Sequence, residues 1–118
     1  MSARIDPEGL YKLCFYVPEA DAEPVKQAVF AAGAGRIGDY DCCAFQLRGE
    51  GQFRPLAGSQ PHIGAQDRLE KVAEYRVEMI CIGEKLPGAL NALRQAHPYE
   101  EPAIDVWPLL DISQGISE

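Results

Sequence analysis

Nowhere does the sequence hold an apolar run approaching the ~20 residues that a membrane-crossing helix requires, which argues against a helical membrane protein. Met1 to Glu8 lack the apolar centre of a secretory signal, so the expected location is the cytoplasm. Positive charge is also scarce: Lys and Arg number 11 against 18 Asp and Glu, a net −7. That balance repels phosphate backbones and anionic lipid, and with no basic patch in view neither nucleic acid nor a membrane surface is an expected partner. The four cysteines, Cys14, Cys42, Cys43 and Cys81, show no C-x-x-C spacing and sit in β-patterned segments. Adjacent Cys42 and Cys43 on a strand would point to opposite sides. Buried, reduced thiols are therefore expected rather than a metal or redox site.

What is present is an ordinary globular composition, 118 residues with 47% hydrophobic and 25% charged. This suits one domain over residues 1–118, with a core at about 10–110. A loose leader is expected before Leu10. Leu10 to Val17 reads as a strand, with Tyr11, Leu13, Phe15 and Val17 on one side. Pro18 ends it, Asp21 is a capping candidate, and Val25, Ala28, Val29 and Ala32 follow the spacing of a helical core face. A second strand is predicted over Asp39 to Arg48, with Phe53 opening a short return strand after Gly49-Glu50-Gly51. Residues 55–67 form a long loop, the second place to look for a site. Leu69 to Ile82 reads as a long strand whose polar first half projects beyond the sheet. A helix follows from about Pro87 to His97, and a strand from Ala103 to Leu109. The tail from Asp111 is polar, and disorder is predicted after Leu110 as well as before Leu10.

Gly33-Ala34-Gly35-Arg36-Ile37-Gly38 matches G-x-G-x-x-G, yet the context opposes a dinucleotide site. That fingerprint joins a strand to a helix N-terminus, where free amides meet a pyrophosphate. Here a helix comes first, so its negative C-terminal end faces the loop. The glycines read as helix-to-strand punctuation, without nucleotide binding.

The order strand, helix, strand, strand, helix, strand is the split β-α-β of a ferredoxin-like α+β fold, an antiparallel sheet with two helices on one face. The other face is uncovered. Leu13, Phe45, Val77 and Ile104 compete for one helix-covered side while both strand faces carry apolar groups, so a homo-oligomer, trimer or dimer, is expected to bury the remainder.

Three stretches carry a family resemblance. Gly33-Ala34-Gly35-x-Ile37-Gly38-x-Tyr40-x-x-Cys43-x-Phe45, Gly49-x-Gly51-x-Phe53-x-Pro55-x-x-Gly58-x-x-Pro61-x-Ile63-Gly64 and Ala96-His97-Pro98-Tyr99-Glu100-Glu101-Pro102-Ala103-x-Asp105 resemble the domain inserted in NIF-three-like proteins, here expected to stand alone. The likeness covers roughly residues 10 to 110. That insert is similar in fold to the CutA and PII proteins, which implies the same sheet and an oligomer. The resemblance also implies that the dinuclear metal centre of the full-length relatives belongs to flanking domains, with ligands in His-rich motifs. This chain has His62 and His97 alone.

The densest chemistry lies in His97-Pro98-Tyr99-Glu100-Glu101-Pro102: an imidazole, a phenol and two carboxylates between two prolines that stiffen the backbone. His97 and Glu101 are the candidate ligands for a divalent metal ion, which a trimer could share between chains. His62, Tyr99 and Glu100 are the candidates for contacting a small ligand. The competing structural role is a helix-ending histidine at a favourable C-terminus, a packed tyrosine and solvated glutamates. Cys43 has no certain base, and Glu100 and Glu101 diverge on an extended backbone, so catalysis is poorly supported. The expected function is an oligomeric binding or regulatory module that meets a small ligand, a metal ion or a protein partner. The alternative is a small metal-dependent hydrolase assembled across subunits, with acid–base chemistry by His97 and Glu101. A polar cleft in which His97, Glu100 or Glu101 converges with His62 would favour the enzyme, and dispersal on a rim would favour the module.

Overall fold

The computed structural model describes residues 4–112. β1 (Leu10–Pro18) leads through a single 3-10 turn into α1 (Ala22–Ala31), followed by β2 (Phe45–Phe53), β3 (Glu70–Ile82), α2 (Leu86–Ala96) and β4 (Ile104–Leu109). The sheet order is β2-β3-β1-β4, with every neighbouring pair antiparallel. This is the ferredoxin-like α+β architecture that the order of elements predicts.

Alternation along the strands decides what is buried. Leu13 and Phe15 of β1 and Val77 and Met79 of β3 meet Val29 of α1 and Leu93 of α2 in one core, so both helices lie on the same face. The other face carries side chains with no layer over them. The register sets Cys14 opposite Glu78 and Glu78 opposite Phe45, then Tyr16 opposite Arg76 and Arg76 opposite Leu47. Phe45 therefore belongs to the bare face, not to the helix-covered set expected for it, and it is 65% exposed. Cys14 is fully buried on that same face, where Lys12 and Arg76 approach Glu78 at 3.9 and 2.9 Å. Burial pushes its thiol pKa up, so it packs as a small apolar group.

The second strand starts six residues later than its apolar pattern suggested. Residues 36–44 form a loop held by a bridge between Ile37 and Tyr40, with positive φ at Gly38 and Cys42. Cys42 is thus exposed on a turn and Cys43 half-buried, rather than the two alternating on a strand; Cys14 and Cys81 are buried as expected, and all four are free thiols. Gly35 explains the delay. Its N–H donates to the Ile80 carbonyl at 2.8 Å, and its carbonyl accepts the Cys43 N–H at 2.8 Å. With φ +78 and a Cβ that would sit 2.7 Å from the Phe30 ring, no other residue fits there without movement.

Phe53 closes β2 instead of opening a return strand, because β2 pairs with β3 through Phe53↔Glu70. The polar first half of β3 does run past β1, as a two-stranded ribbon with β2. The leader is not loose at residues 6–9. Asp6 to Gly9 turn on an N–H to carbonyl bond, Gly9 N to Asp6 O at 2.9 Å, and the Gly9 and Pro7 carbonyls accept the N–H groups of Gly83 and Glu84. Of the stretches before Leu10 and after Leu110 for which disorder is predicted, residues 1–3 and 113–118 lie outside the described residues.

Candidate functional site

α2 ends where the chain chemistry requires it to end. Pro98 disfavours the helical conformation in the residue before it, and His97 accordingly takes φ −71, ψ 135 while its N–H still donates to the Leu93 carbonyl. That break turns the imidazole inward, leaving His97 only 5% exposed. Nδ1 accepts the Tyr99 N–H at 3.1 Å, so the ring proton sits on Nε2, which donates to the Tyr16 carbonyl at 2.7 Å. Both nitrogens are committed. Burial lowers the pKa of His97, opposed by the Tyr16 carbonyl and the Glu74 carboxylate, so the ring is neutral at pH 7.

These bonds engage both nitrogens of His97, the residue expected to be a metal ligand. An imidazole needs a free lone pair to coordinate, and this one spends its lone pair on the Tyr99 amide. Glu101, its expected co-ligand, is exposed. Among the described residues no three His, Cys, Asp or Glu side chains come together in a metal-holding group. The residues of this corner do not fit a resident metal ion.

Tyr99 does reach a partner. Its hydroxyl donates to Glu74 Oε2 at 2.9 Å, and its ring stands edge-on to Phe53 at 5.7 Å, with His97 at 5.0 Å and His62 at 6.4 Å. Burial first, then the Glu74 carboxylate, pushes the phenol pKa up, so it remains a protonated donor. Glu74 itself fits because Gly51 has no side chain: a Cβ there would collide with Glu74 Oε1. The Gly-x-Gly of β2 therefore has a steric use, leaving room on that face for a long side chain from β3. This was the signal from which Glu74, absent from the sequence-based candidates, could have been found.

The long loop comes down on the same corner. Its neck closes through the Asp67 N–H to the Pro55 carbonyl at 2.6 Å, and Glu100 Oε1 accepts the Gln60 N–H at 3.2 Å. Corner, loop and the β2–β3 ribbon line a half-open cavity of about 290 Å³. Phe53, Pro55, Pro61 and Ile63 supply its apolar wall together with Tyr99. Glu74, Glu100, Glu101 and His62 supply the polar part. Four of the five expected site residues, His62, Tyr99, Glu100 and Glu101, thus share one cavity. His97 does not line it; it holds Tyr99 in place from behind. A second groove of about 320 Å³ adjoins on the bare face, sharing Tyr16, Gly51 and Glu74 and adding Arg48 and Arg76.

No protein-family profile matches the chain. A "GTP cyclohydrolase 1 type 2 homolog" of Mycobacterium bovis is 46% identical over 93% of the chain. The chain spans only about 30% of that relative's length. The solved structure of a Bacillus cereus protein related to NIF3 superposes at a TM-score of 0.76 with 38% identity, over 92% of this chain and 28% of that one. The divalent cation tolerance protein CutA of Archaeoglobus fulgidus superposes at 0.61 with 15% identity, over 91% of this chain and 87% of CutA, a likeness of fold. The chain is a homologue of one domain of these longer proteins, the one related to NIF3 among them.

Proposed function

We propose that this domain is a non-catalytic, oligomeric binding module whose cavity between the His97–Pro102 corner and the 49–64 loop takes a small ligand. The carrying observation is the convergence of two separate motifs on one half-open, mostly apolar pocket with a few polar groups, the usual composition of a ligand site. At about 290 Å³ it lies at the small end of the ~300–1,000 Å³ common for such sites. Glu100 and Glu101 do converge there with His62, as the hydrolase alternative asks. That alternative needs a polar cleft with an activated group, however, and this wall is mostly apolar beside a neutral His97 bonded at both nitrogens and a tyrosine held protonated. The cyclohydrolase in the relatives' names is accordingly left to the rest of those proteins. Divalent-cation tolerance, in the name of the CutA neighbour, is likewise not assigned to His97 and Glu101.

Self-association through the bare face belongs to the same reading. Phe45, Leu47 and Trp107 are 65, 54 and 37% exposed there, apolar side chains that a second copy laid on this face would cover. The binding test is a fragment screen read on the Tyr99 and His62 ring resonances, with Phe53→Ala expected to abolish the shifts. Light scattering at micromolar concentration should give a dimer or trimer mass, and Phe45→Glu should return a monomer. Fragments that leave both rings unmoved would end the ligand reading, and a wild-type monomer would end the oligomeric one.

A further inference from the structure

We infer that the cavity selects an organic cation, a protonated amine carried on a small aromatic or apolar body. This deepens the binding reading and rests on it. Three carboxylates, Glu74, Glu100 and Glu101, line the space, and among its described lining residues none is Lys or Arg. Glu74 gives one oxygen to Tyr99 and Glu100 gives one to the Gln60 amide, which leaves each a second oxygen. Glu101 stands on the same wall, exposed toward solvent.

The rest of the wall suits the same ligand. Tyr99, Phe53 and His62 present rings to one small space, and aromatic faces attract cations through the negative potential above the ring. Phe53, Pro61 and Ile63 offer apolar surface to the ligand's body. A phosphate or carboxylate would instead meet three like charges with no counter-charge in the wall. Arg48 and Arg76 line the adjoining groove. Arg48 is paired there with Glu19 at 3.0 Å and Arg76 with Glu78 at 2.9 Å. The net charge of −7 adds a long-range field that concentrates cations at the surface and repels anions.

The test is a matched series on one aromatic body, tyramine, tyrosol and 4-hydroxyphenylacetate, supplemented by further aryl-alkyl amines, alcohols and acids. Each is titrated into the full chain by NMR, following the Tyr99 and His62 rings. Amines should bind at least about tenfold tighter than the matched alcohols, with the acids weakest. The double variant Glu100→Gln with Glu101→Gln, at two exposed positions that leave the core untouched, should cut that preference to about threefold or less. Amines that bind no tighter than alcohols, or acids that bind tightest, would overturn the charge selectivity while leaving the cavity as a ligand site. Selectivity unchanged in the double variant would overturn its carboxylate origin. No movement of either ring by any compound would remove the cavity reading and this inference together.

Discussion

The glycine-rich loop after α1 and the corner after α2 both look like sites in the sequence, and they end up opposite in kind. In the loop, Gly35 spends its N–H on Ile80 and its carbonyl on Cys43, and its missing side chain makes room for Phe30. In the corner, His97 and Tyr99 are spent in the same way, on Tyr16 and Glu74, but three carboxylates remain around an open cavity. Density of chemical groups is therefore a poor guide. What separates a site from a scaffold is whether polar groups still face space after the backbone has been satisfied.

That contrast can be attacked by substitution. His97→Ala removes one partner from each of two buried hydrogen bonds and should cost about 3 kcal/mol in urea unfolding, since an orphaned buried group costs about 1–3 kcal/mol. Its effect on zinc or copper affinity in calorimetry should be nil. Gly35→Ala should cost about 2 kcal/mol, from left-handed backbone strain and the displaced Phe30, with binding of tyramine at the corner unchanged. Tyr99→Phe removes one hydrogen bond to a carboxylate, which makes it the mildest of the three at about 1–2 kcal/mol. It should nevertheless alter the cavity most directly, by freeing Glu74.

The pH response gives a finer comparison. Burial depresses the folded pKa of His97 below its ordinary 6.5. A depressed group binds fewer protons folded than unfolded, so its contribution is complete above pH 6.5 and is lost as pH falls from there toward the folded value. Urea midpoints measured from pH 7.5 down to 5.5 should therefore drop more steeply for the wild type than for His97→Gln. Equal slopes would mean that the ring is not held neutral in the folded state.

Much of the fold was legible because periodicity reports burial. The alternation of Leu13, Phe15 and Val17 and the helical spacing of Val25 and Val29 each place apolar groups on one side, and the structure buries them together. The start of β2 was not legible. Apolar, aromatic residues at 40–45 mimic a strand, but Gly35 beside Ile80 and the left-handed Gly38 and Cys42 take the chain elsewhere first. In the corner, residue types pointed to the right place but not to the bonds that His97 makes there. Whether an imidazole is a ligand or a pin depends on the Tyr16 carbonyl, 81 residues away, which no local pattern reports. Glu74 was missed for the same reason, since its importance comes from reaching over Gly51, diagonal to it on the neighbouring strand, and accepting the Tyr99 hydroxyl.

The most direct test of the pinned corner is nitrogen-15 NMR of the His97 ring at pH 7, before and after addition of zinc. The structure predicts a neutral ring protonated at Nε2, with Nδ1 bare and hydrogen-bonded, and no change on adding metal. An imidazolium, the Nδ1–H tautomer, or a zinc-induced shift at either nitrogen would contradict it and return His97 to the metal-binding role.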